Sequence, residues 1–342
     1  MKRAYVWILP VFLLLPLQVL HCERVTSENW RGVHLWVDSD KSAQELVQTL
    51  PALEKIGVNA LVVEVNYSFE FQSHPEMRNR RFVSVATAHE LARAARSNGI
   101  VLIPQFNCLG HQSFAHRVAP LLIEHPDFNE TPSQSLTNKS TYCLSWCPRA
   151  DGLHEIVFSL IDEMAAGFEA AYFHVGMDEV YLIGETECPR CKGRNPAKLF
   201  ANEVLALHEH IVKRKKLKML MWSDRIIGVK FQGTSQYDTT HNDLSPSIDR
   251  IPRDIIQCDW HYEWRKEYPS LPYLAGKGFR IWPSGFTPVK ASQSFSDYAH
   301  SHGSNVIGYL ATTWNQTTIS NSPNWPPIRD ILPSWTGSSK TK

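Results

Sequence analysis

Eight short apolar segments recur along the chain, and their number and pattern constrain the fold more than any other feature of the sequence. Each is a nearly continuous apolar run, as expected of a strand buried on both faces of a parallel sheet. Eight such runs separated by helical segments predict an α/β protein with a closed (β/α)8 TIM barrel. The predicted strands are residues 32–37, 60–65, 101–106, 171–175, 219–222, 255–258, 279–282 and 306–310.

Amphipathic helical patterns separate the earlier strands, at residues 43–56, 86–97, 151–167 and 197–214. No glycine-rich turn follows the first strand, which disfavours an open dinucleotide-binding sheet. The last units are less regular, because a short segment rich in Pro, Tyr and Trp joins strands six and seven, and a Pro-rich segment with at most a short helix follows strand eight. The sequence has no internal repeat and no linker that would split it, so we predict one barrel domain over residues 28–335 and a disordered tail at 336–342.

Residues 1–22 have the pattern of a signal peptide. Lys2 and Arg3 precede an apolar run over residues 4–20, and a polar boundary follows it. The mature protein is then expected to be secreted or periplasmic, with no membrane span. An uncleaved apolar run, or a lipid attached at Cys22, is the alternative and would leave the protein anchored to a membrane.

The charge balance excludes one broad class of partner. Lys and Arg number 35 and Asp and Glu 34, which gives a formal net charge of +1 with the two signs interspersed. Nucleic-acid binding requires a basic stripe, which this sequence lacks. We therefore expect no nucleic-acid partner and a neutral or weakly charged ligand.

Four of the seven cysteines form two close pairs, Cys143 with Cys147 and Cys188 with Cys191. In an oxidising compartment such pairs can form disulfides. A C-x-x-C segment is also a common half of a zinc site, although three residues rather than two separate the other pair. Disulfides, a zinc site and free thiols all remain compatible with the sequence.

Two adjacent acids, Asp178 and Glu179, follow the fourth predicted strand. Reactive residues of a β/α barrel gather at the carboxyl ends of its strands. Neighbouring carboxylates repel in a partly buried site, so one of them is expected to hold a proton near neutral pH, as a general acid must. A break in the strand at Gly176 and Met177 would let both side chains reach one pocket. The alternative is an acid-decorated helix N-terminus.

Aromatic and polar residues occupy the carboxyl ends of the other strands and indicate a sugar pocket with aromatic walls. Those selected as candidate substrate-binding residues are His111, Trp222, Trp260, Tyr262 and Trp314.

Residues 174–179, His-Val-Gly-Met-Asp-Glu, resemble the His-x-Gly-x-Asp-Glu signature of glycoside hydrolase family 20, the β-N-acetylhexosaminidases. Arg31 is similar to the family's arginine that binds hydroxyls of the terminal sugar. Gly110 and His111 are similar to its Pro-Gly-His turn, with Leu109 in place of the proline. The three tryptophans named above match its pocket tryptophans on strands five, six and eight. The resemblance is closest to the branch that consists of a bare barrel.

The resemblance implies an exo-acting, retaining enzyme that removes terminal β-linked N-acetylglucosamine or N-acetylgalactosamine from glycans. Glu179 would be the acid and base, and Asp178 would orient the 2-acetamido group, whose carbonyl attacks the anomeric carbon. His111 would support the acid pair, although a plain core histidine is the alternative. No metal and no organic cofactor is implied.

The seventh strand departs from the family pattern, because it lacks the tyrosine and the acid that hold the acetamido oxygen and a sugar hydroxyl. Tyr262 is the candidate replacement for that tyrosine. Three other functions remain open: a catalytically silent sugar-binding barrel, which this departure favours, a zinc-dependent hydrolase that uses the paired cysteines or histidines, and a glycosidase that uses two protein carboxylates. In the last, Glu179 would work with Glu64, Asp224 or Asp259.

Overall fold

Eight parallel strands close into a barrel, which confirms the predicted TIM barrel. Each strand pairs with the next one along the chain, and the eighth pairs with the first. The strands are β1 (Trp30–Trp36), β2 (Ala60–Glu64), β3 (Val101–Cys108), β4 (Tyr172–Gly176), β5 (Lys218–Trp222), β6 (Ile256–Trp260), β7 (Ile281–Gly285) and β8 (Gly308–Thr312).

The structure, a computed structural model, describes residues 29–335 apart from 115–116, 135, 137–141, 229–230 and 232–241. The predicted signal peptide and the predicted tail lie outside these residues. Within the described part of the chain, every helix is too short or too polar to cross a bilayer.

Helices lie between successive strands of the barrel and after the last strand. They are α1 (Asp40–Lys55), α2 (Val85–Ser97), α3 (Pro120–Glu124), α4 (Leu153–Gly167), α5 (Pro196–His208), α6 (Asp224–Ile227), α7 (Ser270–Gly276), α8 (Val289–His302) and α9 (Pro326–Ile331). A π-helical turn, Glu209–Arg214, extends α5. Single 3-10 turns occur at Pro75–Met77, Pro126–Phe128, Ser245–Asp249, Ser322–Asn324 and Leu332–Ser334, and a two-stranded hairpin pairs Ser113–Phe114 with Arg117–Val118.

α1 begins three residues before the predicted start at residue 43, because a capping box forms ahead of its apolar stripe. The Ser39 side chain accepts a hydrogen bond from the Ser42 backbone amide, and the Ser42 hydroxyl accepts one from the Ser39 amide. These two bonds satisfy amides that the first helical turn leaves without partners. The stripe itself, with Leu46, Leu50 and Leu53 at helical spacing, packs on the barrel.

α8 is absent from the prediction because its buried face is made mainly of small residues. Ala291, Ser292, Ser296 and Ala299 are buried there, and only Phe295 adds a large apolar group. Small side chains let a helix lie close to the strands, but they produce little of the apolar periodicity on which a prediction from sequence rests.

Side chains alternate between the barrel interior and the layer beneath the helices. In β1, Val33 and Leu35 belong to the outer cluster under the helices, whereas the buried His34 lies between them in sequence and points inward. The interior is filled mainly by apolar side chains: Trp30, Ala60, Val62, Ile103, Leu220, Trp222, Ile256, Cys258, Trp260, Trp282, Ile307 and Leu310. Because these side chains fill the barrel interior, a ligand of the barrel binds at the rim where the strands end.

Candidate active site

A break after β4 brings Asp178 and Glu179 to the same place. The backbone enters the left-handed region at Gly176, Met177 and Glu179, with φ of 67°, 72° and 50°. Regular strand alternation therefore ends before the acids. The Nε2 atom of His111 lies 3.5 Å from Asp178 Oδ2 and 3.3 Å from Glu179 Oε2. Both carboxyl groups and the predicted histidine thus meet at the carboxyl end of the barrel.

Two other residues of the same segment shape this break. The Gly176 amide donates to Nδ1 of His174 over 3.0 Å. Burial, followed by the charge of His34, holds the pKa of His174 well below its ordinary value, so its ring stays neutral and can accept. A Cβ atom on residue 176 would lie 2.6 Å from Asn107 Oδ1, which only glycine avoids. His174 and Gly176 therefore hold the turn that presents the acids.

The Glu179 side chain accepts hydrogen bonds from two tyrosines. Tyr181 OH donates to Oε1 over 3.1 Å, and Tyr142 OH donates to Oε2. Burial, with the nearby negative charges, raises the pKa of both phenols, so they remain protonated donors. The Glu179 side chain is therefore held in one orientation from two sides.

The sequence prediction missed both tyrosines. Tyr181 follows Glu179 by two residues, a spacing that would have made it a reasonable candidate. Tyr142 has no such local signal, because the loop between β3 and α4 brings it to the site. That loop also places Cys143 at the site, with its Sγ 3.5 Å from His111 Nδ1 and 3.9 Å from Glu179 Oε2.

Asp178 and Asp224 are buried carboxyl groups that hold protons at unusually high pH. Burial raises the pKa of Asp178, and the negative charges of Asp224, Glu179 and Glu64 raise it further. Burial also raises the pKa of Asp224 to about 7, although Arg225 and a hydrogen bond from the Glu179 amide act in the opposite direction. That amide donates to Asp224 Oδ2 over 2.9 Å. Asp178 and Asp224 titrate together. The acid cluster, formed by Asp178, Glu179 and Asp224, therefore keeps a proton near neutral pH.

This coupling predicts a specific pH effect of Asp224→Asn. We expect the alkaline limb of kcat/KM in the wild type to fall near pH 7, the region where burial places the pKa of Asp224. Removing one negative charge makes proton loss from the remaining acids easier, so the limb should move to lower pH in the variant. Profiles of kcat/KM against pH on one aryl glycoside measure the shift. The exposed Asp151→Asn is the matched control, and an unmoved limb in Asp224→Asn would contradict the coupling.

Two of the carboxylates considered as a second catalytic acid already have full sets of partners. His34 Nε2 lies 3.0 Å from Glu64 Oε2, and the amides of Asn66 and Asn107 donate to Oε1 over 2.8 and 3.0 Å. Burial alone would raise the pKa of Glu64, but His34 and Asn66 outweigh it and lower the pKa. Asp259 is fully buried, and each of its oxygens accepts from a serine. Both carboxylates are therefore fixed in place by these partners.

Aromatic rings stand at the carboxyl ends of β6 and β8. The rings of Trp260 and Tyr262 stack with centroids 5.0 Å apart, and Trp314 Nε1 donates to Tyr262 OH over 2.7 Å. Tyr262 and Trp314 are partly exposed and can contact a ligand. Trp222 has no exposed surface and lies 5.5 Å from the Trp314 ring. Its predicted contact with the sugar is therefore corrected: Trp222 packs in the barrel interior near Trp314.

The structure also corrects the predicted role of Arg31. It stands at the amino end of β1, on the same side of the strand as the outward-facing Val33, and its Nε donates to the carbonyl of Gly57, just after α1. A strand advances about 3.3 Å per residue, so Arg31 lies roughly 16 Å from Trp36 at the other end. Arg31 connects β1 to the end of α1 and does not reach the acid cluster.

An open cleft of about 650 Å³ lies at the carboxyl ends of β1 and β2. Its lining includes Trp36, Glu64 and Asn66 on the side of the barrel and Arg80, Arg81 and Arg117 on the outer side. Because Glu64 acts electrostatically on both Asp178 and His111, this cleft is adjacent to the acid cluster.

Sequence comparisons find proteins that are similar to this chain. The sequence model described as Glycosyl hydrolase family 20, catalytic domain, matches residues 31–245. The chain is 26% identical to Hexosaminidase D of Bos taurus over 259 residues, which cover 73% of this chain and 66% of that protein. It is 22% identical to Beta-hexosaminidase of Vibrio furnissii over 268 residues, 77% of this chain and 39% of that protein. The chain thus spans about two thirds or less of these relatives.

Solved structures share the fold. A chitobiase from Flavobacterium johnsoniae superposes with a TM-score of 0.65 at 18% identity, over 92% of this chain and 49% of that one. A beta-N-acetylhexosaminidase from Bacteroides fragilis superposes with a TM-score of 0.67 at 14% identity, over 92% of this chain and 68% of that one. Identities this low establish the barrel alone.

Proposed function

Because the chain belongs to glycoside hydrolase family 20, we propose that it is a retaining, exo-acting β-N-acetylhexosaminidase that works by substrate-assisted catalysis. The observation that carries this proposal is the meeting of Asp178 and Glu179 at His111 Nε2. One carboxyl group at such a site can supply a proton while its neighbour stabilises a developing positive charge. The two relatives named above are hexosaminidases by name and support a hexosaminide substrate; we propose terminal β-linked N-acetylglucosamine or N-acetylgalactosamine.

Glu179 is proposed to protonate the glycosidic oxygen and later to take a proton from the attacking water. The two phenols that donate to its carboxyl oxygens stabilise its ionised form, which appears after the first step. They also restrict its rotation, so the proton is delivered along one direction.

Asp178 is proposed to accept a hydrogen bond from the N–H of the substrate's 2-acetamido group. The acetamido carbonyl oxygen then attacks the anomeric carbon as the glycosidic bond breaks, and positive charge develops on the acetamido nitrogen. Burial and neighbouring acids raise the pKa of Asp178 in the free site, and the positive charge that develops on the acetamido nitrogen acts in the opposite direction and stabilises the ionised carboxylate. Asp178 therefore stabilises the transition state and the cyclic intermediate more than it stabilises the bound substrate.

The aromatic residues at β6 and β8 are proposed to hold the sugar ring. Trp314 and Tyr262 present partly exposed rings, and Trp260 supports Tyr262 by stacking. Tyr262 OH accepts a hydrogen bond from Trp314 Nε1, which fixes the position of the Tyr262 hydroxyl at the rim. We propose that the Tyr262 hydroxyl binds the acetamido oxygen, in the role of the tyrosine that β7 lacks.

The proposal is tested by a panel of aryl β-glycosides. The wild type should hydrolyse the N-acetylglucosaminide or the N-acetylgalactosaminide and leave the corresponding glucoside, which lacks the acetamido group, unchanged. A thiazoline mimic of the cyclic intermediate should inhibit competitively. Turnover of the glucoside at a similar rate would instead indicate catalysis by two protein carboxylates.

One observation favours a catalytically silent sugar-binding barrel as the second candidate. The carboxyl end of β7 carries the buried Ser284, whose hydroxyl donates to the Trp282 carbonyl, and offers no acid to the site. That candidate predicts binding of N-acetylglucosamine by calorimetry without turnover of any member of the panel.

A further inference from the structure

Three cysteines and one glutamate converge away from the acid cluster. Cys147 Sγ lies 3.4 Å from Cys191 Sγ and 3.5 Å from Cys188 Sγ. One carboxylate oxygen of Glu130 completes the group, and all four candidate ligand atoms lie within 4.8 Å of one another. All four residues are fully buried. Cys143 is not a member, which corrects the pairing of Cys143 with Cys147 considered from the sequence.

The separations of the sulfur atoms suit a shared metal ion. A tetrahedral Zn²⁺ lies about 2.3 Å from each thiolate, which places bound sulfurs roughly 3.8 Å apart. The two measured separations, 3.4 and 3.5 Å, are within a few tenths of that value. One disulfide joins two thiols, so a disulfide among these three cysteines would leave the third thiol without a bond.

A second, independent observation at Glu130 points to a bound cation. Its Oε1 accepts from the backbone amides of Gly184 and Glu185 over 2.7 and 3.0 Å. Its Oε2 is buried and accepts from no N–H or O–H group among the described residues, and the Cys188 thiol is the side chain that interacts with this carboxylate. A buried carboxylate oxygen without such a partner is costly unless a cation binds it. The two amide bonds would fix the carboxylate, as the outer partners of metal ligands do.

Backbone amides point at two of the sulfurs. Cys188 Sγ accepts from the amides of Arg190 and Cys191, and Cys147 Sγ accepts from the amide of Arg149. Such N–H donors stabilise negative charge on a metal-bound thiolate. The turn that supplies them is a C-x-x-C segment, the common half of a zinc site.

We propose that Glu130, Cys147, Cys188 and Cys191 bind one Zn²⁺ ion in a closed, four-coordinate structural site. The ion would join the loop that carries Cys147, just after Tyr142 and Cys143, to the segment that follows Tyr181. It would therefore stabilise the two loops that bring tyrosines to Glu179, without contacting substrate. The inference does not depend on the proposed enzymatic activity.

The test begins with the metal content of the full-length protein, purified with zinc present and then freed of loosely bound metal. Mass-spectrometric metal analysis should find about one zinc per chain. Replacement by Co²⁺ should add thiolate-to-cobalt charge-transfer absorption in the near ultraviolet and the intense visible bands of a tetrahedral site. Neither readout requires activity.

Variants locate the site. Cys188→Ser and Glu130→Gln should lose the stoichiometric metal or bind it much more weakly, whereas the matched control Cys108→Ser should keep it. Cys108 is equally buried, but it lies on β3 and outside the cluster. If a variant fails to fold, the cobalt spectrum of the wild type still decides. A wild type without stoichiometric metal, or with a disulfide between Cys147 and Cys188 or Cys191 in peptide mapping, would overturn the proposal.

Discussion

Glu179→Gln is expected to lower kcat/KM for aryl β-N-acetylglucosaminides by about 10²- to 10⁴-fold, the usual contribution of a positioned general acid. Glutamine keeps the size of the side chain and its one carbonyl oxygen can accept from either Tyr142 or Tyr181, but it has no acidic proton to donate to a leaving group. The loss should therefore be largest for aryl glycosides whose leaving phenol has a high pKa and smallest for nitrophenyl glycosides. Initial rates over a series of leaving groups measure this dependence.

The exposed Glu124→Gln makes the same chemical change on the surface and should retain wild-type rates. Azide should partly restore activity to Glu179→Gln only on substrates with good leaving groups, because it replaces the activated water but not the acid. A loss independent of the leaving group, or no loss at all, would remove Glu179 from the role of acid.

Asp178→Asn is expected to lower kcat by about 10²- to 10³-fold, the range found when one group that stabilises transition-state charge is lost. Asparagine can still accept the acetamido N–H, so KM should change little. It carries no negative charge, however, and cannot stabilise the positive nitrogen of the cyclic intermediate. Steady-state rates on the aryl N-acetylglucosaminide give both constants, and the exposed Asp151→Asn is the control.

The thiazoline mimic separates this mechanism from one with two protein carboxylates. Its affinity for Asp178→Asn should fall by a factor close to the loss in kcat, because it resembles the charged intermediate. If Asp178→Asn kept its rate while Asp224→Asn lost activity at every pH, Asp224 would be the second catalytic carboxylate and the acetamido group would have no part in the reaction.

Local patterns in the sequence were enough to locate the acid pair. The strand before it is apolar, and Gly176 and the two acids follow at once, so the break and its position at a strand end could be predicted from neighbours along the chain. The positions of Tyr262 and Trp314 at the rim followed in the same way. Local pattern does not place His111 beside the acids, because its approach depends on the turn after β3.

Residues brought together from distant parts of the chain could not be predicted. Tyr142 and Cys143 reach the site on a long loop that has no periodic pattern. Arg31 was assigned to the pocket from its resemblance to a family residue, yet its position at the start of β1 and its outward orientation take it to the opposite end of the barrel. Glu130 had no sequence signal as a neighbour of the cysteines.

The sequence by itself determined the barrel, the order of its strands and the place of Asp178 and Glu179, because apolar burial and strand breaks are recorded in adjacent residues. Only the tertiary structure decided which tyrosines hold Glu179, which end of β1 carries Arg31, and which carboxylate joins the three thiols. Those contacts depend on where long loops cross the rim and on which face each side chain occupies. Residues adjacent in sequence specify neither.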